Sequence, residues 1–167
     1  IEAALMALGL PPGIKRRFAF MDWPAYDETL WQSLLAEAPS RPAEHPILQA
    51  SDRDAGAIRM AQANAERAGV SDHIEFKCQA VSSITPSAEP GWVVTNPPYG
   101  LRISEGKDLR NLYAQFGNVL REKCPSWNLA VLCSDPALLG QMHARLDTSL
   151  GLVNGGVRVR LGRGKVG

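Results

Sequence analysis

Three features that often reveal a protein's class are scarce in this sequence. Cysteine occurs three times, as Cys78, Cys124 and Cys133, and an odd number without a close pair indicates neither a disulfide framework nor a zinc site. No apolar run is long enough to cross a bilayer, and no signal peptide is visible. The net charge is only +1, so the whole-chain field gives no indication of a nucleic-acid partner. These absences favour a cytoplasmic protein with buried free thiols and neither a metal nor a membrane partner.

The hydrophobic residues that are present, 45% of the 167 residues, are enough for one globular core. Their spacing predicts helices at 1–8, 27–38, 55–68, 108–122 and after Asp135, and strands at 46–52, 73–78, 93–95, 127–133, 148–153 and 157–161. Alternation of strand and helix implies a mostly parallel sheet, and the turn signal at Asn154-Gly155-Gly156 adds an antiparallel hairpin strand at an edge. We therefore predict a single α/β domain over residues 1–167.

The most informative stretch is Asn96-Pro97-Pro98-Tyr99, directly after the predicted buried strand Val93–Thr95. Proline cannot continue a sheet, so the stretch forms a stiff loop at the carboxyl end of a strand, where open α/β sheets bind ligands. The side-chain oxygen of Asn96 and the carbonyl of Pro97 are suited to accept both N–H groups of an exocyclic amine, while Tyr99 stacks on its base. A simple strand-ending turn is the alternative, but the four residues as one unit favour function.

Asp52 follows one predicted strand and precedes a helix. In nucleotide-binding α/β folds an acid at this point accepts hydrogen bonds from ribose hydroxyls. The structural alternative is an N-cap on the helix, which Asp54 would supply equally well. Because the Asn96 loop follows two strands later, we favour the ribose role for Asp52.

Two basic stretches are candidates for contacting nucleic acid. The first is Lys15, Arg16 and Arg17, followed by Phe18, Phe20 and Trp23. A solvated turn leading into core aromatics explains this stretch at least as well. The second is Arg158, Arg160, Arg163 and Lys165, expected on one face of the last strand. A solvated edge strand protected by charge is the favoured explanation there.

Asn96-Pro97-Pro98-Tyr99 is also the signature of S-adenosylmethionine-dependent methyltransferases acting on exocyclic amines of adenine or guanine. Other segments resemble one such family in order: Ile1–Ala4, Lys15–Trp23, Asp52–Asp54, Ala63–Ala65, Ala68–Val70, Leu112-Tyr113 and Trp127–Cys133. Over nearly its whole length the chain resembles the THUMP-associated RNA guanine-N2 methyltransferases, in particular the bacterial 23S ribosomal RNA enzymes of the large subunit.

The resemblance implies a Rossmann-like S-adenosylmethionine-dependent methyltransferase fold, S-adenosylmethionine as cofactor and RNA, first of all ribosomal RNA, as substrate. It implies catalytic roles for Asn96, Pro97, Pro98 and Tyr99, cofactor contacts for Asp52, Arg53, Ala80, Val81 and Asn96, and RNA contacts for Lys15, Arg16, Arg17 and Arg102. Ala80 departs from the family, which often has an acid there facing the cofactor's adenine; only its backbone N–H is suited to that contact.

The family resemblance leaves two functions open besides guanine methylation. The loop motif also serves adenine-N6 methyltransferases on DNA or RNA. A catalytically inactive RNA-binding module that uses the basic residues of the last strand is an alternative from another class.

The chain opens on Ile1-Glu2-Ala3-Ala4 without an initiator methionine, as if inside a helix, so we expect a fragment of a longer protein. By resemblance, the family's glycine-rich loop and central first strand would precede Ile1. Without them we expect weak or no cofactor binding by this chain alone. We also expect unpaired edges on the 46–52 and 93–95 strands, through which two copies would associate.

Overall fold

The computed structural model describes residues 1–11, 13–14, 16–37, 48–86, 90–99 and 109–167. These residues form two compact units, Ile1–Ala80 and Val81–Gly167, and each is described by itself. Their organisation as one domain stays a prediction.

The first unit is built on a strand–helix–strand repeat. Its elements are α1 (Glu2–Ala7), α2 (Glu28–Glu37), β1 (Leu48–Asp52), α3 (Ala55–Ala68) and β2 (Ile74–Cys78), with short 3₁₀ turns at Ala19–Asp22 and Ser71–His73. β1 and β2 run parallel, with Leu48 opposite Ile74 and Asp52 opposite Cys78. The core of this unit consists of Ala4, Leu5, Ala65 and Val70.

Helix α3 has the limits that its sequence predicts. The carboxylate of Asp54 accepts a hydrogen bond from the backbone N–H of Gly56, which satisfies a free donor of the first turn. The helix ends at Gly69, whose φ of 74° lies in the left-handed region that glycine adopts without a Cβ penalty. Ile58 and Ala65 lie on the buried face of the helix, as the helical spacing predicts.

Helix α2 has its predicted start, but its apolar face is only partly buried. Asp27 Oδ1 accepts hydrogen bonds from the backbone N–H groups of Thr29 and Leu30, at 2.8 and 3.1 Å. The side chains of Leu30 and Leu34 are nevertheless 57% and 52% exposed. The spacing predicts that Leu30, Trp31, Leu34 and Leu35 share one face of this helix, and two residues of that face are therefore not buried.

The second unit is a four-stranded sheet covered by helices. Its elements are β3 (Trp92–Thr95), α4 (Leu109–Lys123), β4 (Asn128–Cys133), α5 (Pro136–Gly140), β5 (Leu146–Asn154) and β6 (Val157–Lys165), with a 3₁₀ turn at Val81–Ser83. The strand order is β3-β4-β6-β5. β3 and β4 are parallel and the other pairs antiparallel, which confirms an α/β class with parallel strands and an antiparallel C-terminal hairpin.

The hairpin enters the sheet differently from our expectation. β6 lies between β4 and β5, so the last strand is internal and β5 forms the edge. Arg160 lies opposite Cys133, and Arg163 lies opposite Ala130. Because side chains alternate along a strand, Arg158 and Arg160 share one face while Arg163 and Lys165 share the other. The prediction of one basic face on an edge strand is therefore wrong.

Strand β4 and helix α4 form the main core. Leu129, Val131 and Cys133 alternate inward on β4 and are fully buried. Asp135 caps α5 as predicted, by accepting from the N–H of Ala137 at 2.8 Å.

The apolar spacing predicts that the helix after Asp135 carries Leu139, Met142 and Leu146, and that Leu112 lies on the apolar face of α4. Helix α5 ends at Gly140, so Met142 lies beyond it and Leu146 begins β5. Leu112 of α4 is 38% exposed. In β3 only Val93 packs against the core, whereas Trp92 and Val94 are 61% and 75% exposed.

The cysteines and the strand edges can be compared with the predictions directly. Cys124 and Cys133 are buried as expected, whereas Cys78 is exposed. Burial raises the pKa of the Cys124 thiol.

Among the described residues, β1 pairs with β2 alone and β3 with β4 alone, which agrees with the expected free edges. Association of two copies through these edges stays a prediction.

Gly117 of α4 lies against the chain that follows α5. A Cβ on Gly117 would come within 2.2 Å of the carbonyl oxygen of Met142, a backbone atom. That carbonyl also accepts a hydrogen bond from Arg121 Nη1 at 2.6 Å. Glycine is thus required for the approach of α4 to this turn.

We expect Gly117→Ala to destabilise the protein by about 1–3 kcal/mol, because the helix must move away from the Met142 backbone. Gly140→Ala is the matched control, since a Cβ there has no atom within 4 Å. Urea unfolding measures both variants. Equal stability of the two would contradict the steric argument.

Candidate functional site

The loop Asn96-Pro97-Pro98-Tyr99 leaves the carboxyl end of β3, as the sequence predicts. Parallel β4 ends beside it: Thr95 lies opposite Val131, and β4 continues for two more residues, Leu132 and Cys133. The two prolines have no N–H, so the loop cannot continue the ladder to β4. What fixes the loop must therefore come from side chains.

The first such side chain is Tyr113 of α4, which lies beneath the loop and is 1% exposed. Its hydroxyl donates to the carbonyl oxygen of Pro98 at 3.4 Å and lies 3.2 Å from Cys133 Sγ. The sulfur also accepts from the backbone N–H of Asp135 at 3.4 Å. Burial, followed by the hydrogen bond to Cys133, raises the pKa of Tyr113 far above its usual range. The tyrosine is therefore a neutral donor at any physiological pH.

The second side chain is Asn154, at the tip of the β5–β6 hairpin. Its Nδ2 donates to the hydroxyl oxygen of Tyr99 at 3.1 Å. Because that oxygen accepts from Asn154, the proton of Tyr99 stays available for another partner. The ring of Tyr99 packs partly against the core of the second unit. Its orientation is thus fixed at both ends.

These two anchors leave specific groups of the loop unpaired. Pro98 and Tyr99 are engaged, whereas the exposed carboxamide of Asn96 makes no hydrogen bond with another described residue. The same holds for the carbonyl of Pro97 within the described chain. Asn96 Oδ1 and the Pro97 carbonyl are the two acceptors that binding of an exocyclic amine requires, and no described residue occupies either of them in a loop held in place elsewhere.

Asp52 is the last residue of β1, in the first unit. Its Oδ1 accepts from the backbone N–H of Asp54 at 2.8 Å, and its carbonyl accepts from the N–H of Gln79 at 2.9 Å. Asp54, not Asp52, caps α3. The carboxylate of Asp52 is exposed and oriented, and Oδ2 has no partner among the described residues, which fits the donor pattern of a ribose diol.

The other expected cofactor positions are Arg53, Ala80 and Val81, and all three are exposed. Arg53 is exposed, and its carbonyl lies 3.7 Å from Cys78 Sγ. Ala80 is exposed, and its N–H makes no hydrogen bond with another described residue. Val81 begins the 3₁₀ turn of the second unit and is 37% exposed.

The aromatic residues after the basic triplet form a cluster of their own. Phe18 and Phe20 stack at 5.6 Å, and the ring of Trp31 meets both edge-on at 6.1 and 5.3 Å. Trp23, in contrast, is 66% exposed. Phe18 and Phe20 are thus packing residues, as the structural alternative proposed.

The basic residues of this segment are exposed but engaged. The guanidinium of Arg16 lies over the ring of Phe18, 5.5 Å from its centre. Arg17 forms an ion pair with Asp22. Lys15 and Arg102 lie outside the described residues. A contact of any of these four with RNA stays a prediction.

Two arginines of β6 are also engaged. Arg160 Nη1 donates to the carbonyl of Thr148 at 2.9 Å, and Arg163 pairs with the carboxylate of Asp147 at 2.9 Å. Hydrogen bonds from Ser149 and then Arg163 lower the pKa of Asp147 to about 2. Asp147 therefore stays charged, and the pair stays intact, throughout the physiological range.

Within the described ranges, no three His, Cys, Asp or Glu side chains are grouped to hold a metal ion. No helix in the part of the chain that the structure describes is long and apolar enough to span a membrane.

Sequence reasoning missed Tyr113 and Asn154 as parts of the site. Tyr113 occupies a core position of an amphipathic helix, and Asn154 belongs to a turn signal. Both residue types have ordinary structural explanations, so only the fold reveals that they hold the loop.

Comparison with known proteins gives consistent results. The sequence family described as "RMKL-like, methyltransferase domain" matches residues 1–161. The chain is 38% identical over 161 residues to "Ribosomal RNA large subunit methyltransferase K/L" of Shewanella baltica (strain OS185), covering 93% of this chain and 23% of that protein. The chain thus spans about a quarter of the length of such curated relatives.

Two solved structures share the fold. A crystal structure described as SMU.472, a putative methyltransferase complexed with SAH, superposes with a TM-score of 0.84 at 27% identity, over 97% of this chain and 43% of that one. A predicted N6-adenine-specific DNA methylase from Listeria monocytogenes superposes with a TM-score of 0.72 at 27% identity, over 96% and 42% of the two chains.

We expect Tyr113→Phe to lower the free energy of unfolding by about 1 kcal/mol. Removal of the buried hydroxyl leaves the Pro98 carbonyl and Cys133 Sγ without their hydrogen-bond partner. Tyr26→Phe is the control, since the Tyr26 hydroxyl bonds to Glu28 at an exposed site. Denaturant unfolding compares the two. A larger loss for Tyr26→Phe would contradict the anchoring role of Tyr113.

Proposed function

Because this chain belongs to the RMKL-like methyltransferase domain family, we propose that the full-length protein methylates the exocyclic N2 amine of a guanine in RNA, first of all 23S ribosomal RNA, with S-adenosylmethionine as methyl donor. The names of the Shewanella relatives support ribosomal RNA as substrate. The structure described with SAH supports this cofactor. Such a substrate is consistent with a cytoplasmic protein.

The observation that carries the proposal is the pair of acceptors on the anchored loop to which no described residue donates. The amine nitrogen of a purine is a poor nucleophile because its lone pair is delocalised into the ring. Asn96 Oδ1 and the Pro97 carbonyl accept its two N–H groups, which draws the nitrogen towards tetrahedral geometry and localises the lone pair. The same oxygens stabilise the positive charge that develops on nitrogen during attack.

The remaining chemistry asks little of the protein. The cofactor, when bound, supplies a methyl group activated by a positively charged sulfur. No strong base is needed, because the alkylated nitrogen is acidic and loses its proton readily. Tyr99 stacks on the target base, which has to leave its helix to reach the loop. Asn154 and Tyr113 keep the aromatic face and the acceptors in register.

On the cofactor side, Asp52 accepts hydrogen bonds from the ribose hydroxyls. Its fixed Oδ1 and free Oδ2 support this role. Ala80 and Val81 offer backbone groups to the adenine, Arg53 adjoins the ribose, and Asn96 adjoins the methyl group. On the RNA side, Lys15, Arg16, Arg17 and Arg102 contact phosphates.

Adenine-N6 methylation is the second candidate, because the four-residue loop suits either amine and one structural neighbour is described as a predicted adenine-specific DNA methylase. Relatives of higher identity are named for ribosomal RNA, which favours RNA over DNA as the substrate. An inactive RNA-binding module has less support, since Arg160 and Arg163 of its proposed basic surface are engaged within the protein.

We expect Asn96→Ala to lower kcat by about 10²–10³, because one acceptor for the developing charge is lost. The assay uses the full-length protein, tritiated S-adenosylmethionine and undermethylated ribosomal RNA. Nucleoside analysis of the product separates methylguanine from methyladenine. Transfer that survives Asn96→Ala would overturn the proposed role of the loop, and no transfer by the wild type would favour the binding module.

We expect Asp52→Asn to weaken binding of S-adenosylhomocysteine tenfold or more, of the order expected for hydrogen bonds to a charged acceptor. The amide oxygen retains the bond from the Asp54 N–H, so the local fold is kept. Asp54→Ala is the reciprocal control: it loses the α3 cap, about 1 kcal/mol of stability, but keeps the ligand affinity. Calorimetry on the full-length protein measures the affinity of both variants. Equal affinity of Asp52→Asn and wild type would return Asp52 to a structural role.

A further inference from the structure

The β5–β6 hairpin brings a cation close to the loop that receives the target base. We propose that Arg158 binds a phosphate of the RNA strand next to the target nucleotide. This inference rests on the proposed function, since it concerns the same substrate. It assigns to the β5–β6 hairpin the role of holding the RNA strand, a role on which the comparisons with known proteins say nothing.

The geometry of the hairpin tip carries the first step. Asn154 lies opposite Val157, and Val153 lies opposite Arg158. The two residues between the strands, Gly155 and Gly156, have φ values of 55° and 81°, as a tight two-residue turn requires. Arg158 is therefore one residue pair from Asn154, and Asn154 itself is hydrogen-bonded to Tyr99.

The second step is the face on which Arg158 lies. Gly162 pairs with Val131, which belongs to the core against which Tyr99 also packs. Side chains at even positions of β6 share that face, because strand side chains alternate. Arg158 is thus on the face of the sheet that carries this core. Asn154, opposite Val157, is on the other face, so Arg158 and the Asn154–Tyr99 hydrogen bond lie on the two sides of the same hairpin tip.

The third step is the state of the basic side chains on β6. Arg160 is bound to the Thr148 carbonyl and Arg163 to the Asp147 carboxylate. Lys165 pairs with Asn128, the first residue of β4, and so lies at the opposite end of the sheet from the loop. Arg158 is exposed and has no hydrogen bond or ion pair with the described residues. Among the basic residues of β6, Arg158 is the one that combines a guanidinium without a described partner and a position one residue pair from the Asn154–Tyr99 hydrogen bond.

Chemistry then selects the ligand. A base that leaves its stack carries its own backbone with it, so the flanking phosphates pass beside the residue on which the base stacks. A guanidinium binds phosphate oxygens in a bidentate manner and is easily desolvated. Val153 and Val157 around it are 71% and 45% exposed and offer the sugars an apolar surface. Such a contact positions the strand without reading its sequence.

The test measures the salt dependence of RNA binding by the full-length protein. The probe is a fluorescein-labelled transcript of unmodified large-subunit ribosomal RNA. We expect Arg158→Gln to make the slope of log Kd against log salt shallower by about 0.7–0.9, the loss of one phosphate contact. Arg163→Gln is the matched control on the same strand, and we expect it to keep the wild-type slope because that guanidinium is held by Asp147.

Two outcomes would overturn the inference. One is a wild-type slope in Arg158→Gln. The other is an equal change in both variants, which would report net charge and not a contact at the hairpin tip. Methyl transfer to the same RNA, measured in the same preparations, separates the two levels: transfer by the wild type with an unchanged Arg158→Gln slope rejects this contact alone. If the wild type neither transfers a methyl group nor binds the RNA, both the contact and the proposed function are rejected.

Discussion

One constraint governs the loop after β3. Its carbonyl oxygens need hydrogen-bond donors, and its own backbone has too few N–H groups to supply them. Two successive prolines contribute carbonyls but no N–H groups, so the loop cannot satisfy itself by turning back on the strand. The structure resolves this by supplying the donor from the buried hydroxyl of Tyr113, which reaches the Pro98 carbonyl. Burial keeps that hydroxyl protonated, so the arrangement is independent of pH over the physiological range.

The same constraint separates supporting groups from reactive ones. An oxygen that accepts a hydrogen bond from within the protein is less available to a ligand. An oxygen without such a bond has to accept one from water or substrate. Counting donors from the described residues, Pro98 and Tyr99 fall in the first group, and Asn96 and Pro97 in the second. The supporting residues lie 15 and 55 positions away from their partners, in α4 and in the hairpin. The loop can therefore be rigid without using its own acceptors for rigidity.

Features decided by short stretches of sequence could be predicted. Helix α3 has its limits set by Asp54 and Gly69, and the hairpin turn is set by Gly155 and Gly156, because capping and positive φ are local demands. The insertion of β6 between β4 and β5 could not be predicted in this way. It depends on which neighbouring strand offers a free edge, and no residue of β6 encodes that choice locally.

The site follows the same division. Asn96 and Asp52 could be proposed from the sequence because the reaction requires their particular functional groups at strand ends, whatever the rest of the fold does. Tyr113 and Asn154 could not, because an apolar helix position and a turn asparagine each have a sufficient structural explanation. Their role exists only through a partner distant in the sequence. Residues that position a reactive loop are thus concealed by the patterns that specify the fold, and the hydrogen bonds of the folded chain are what distinguish them.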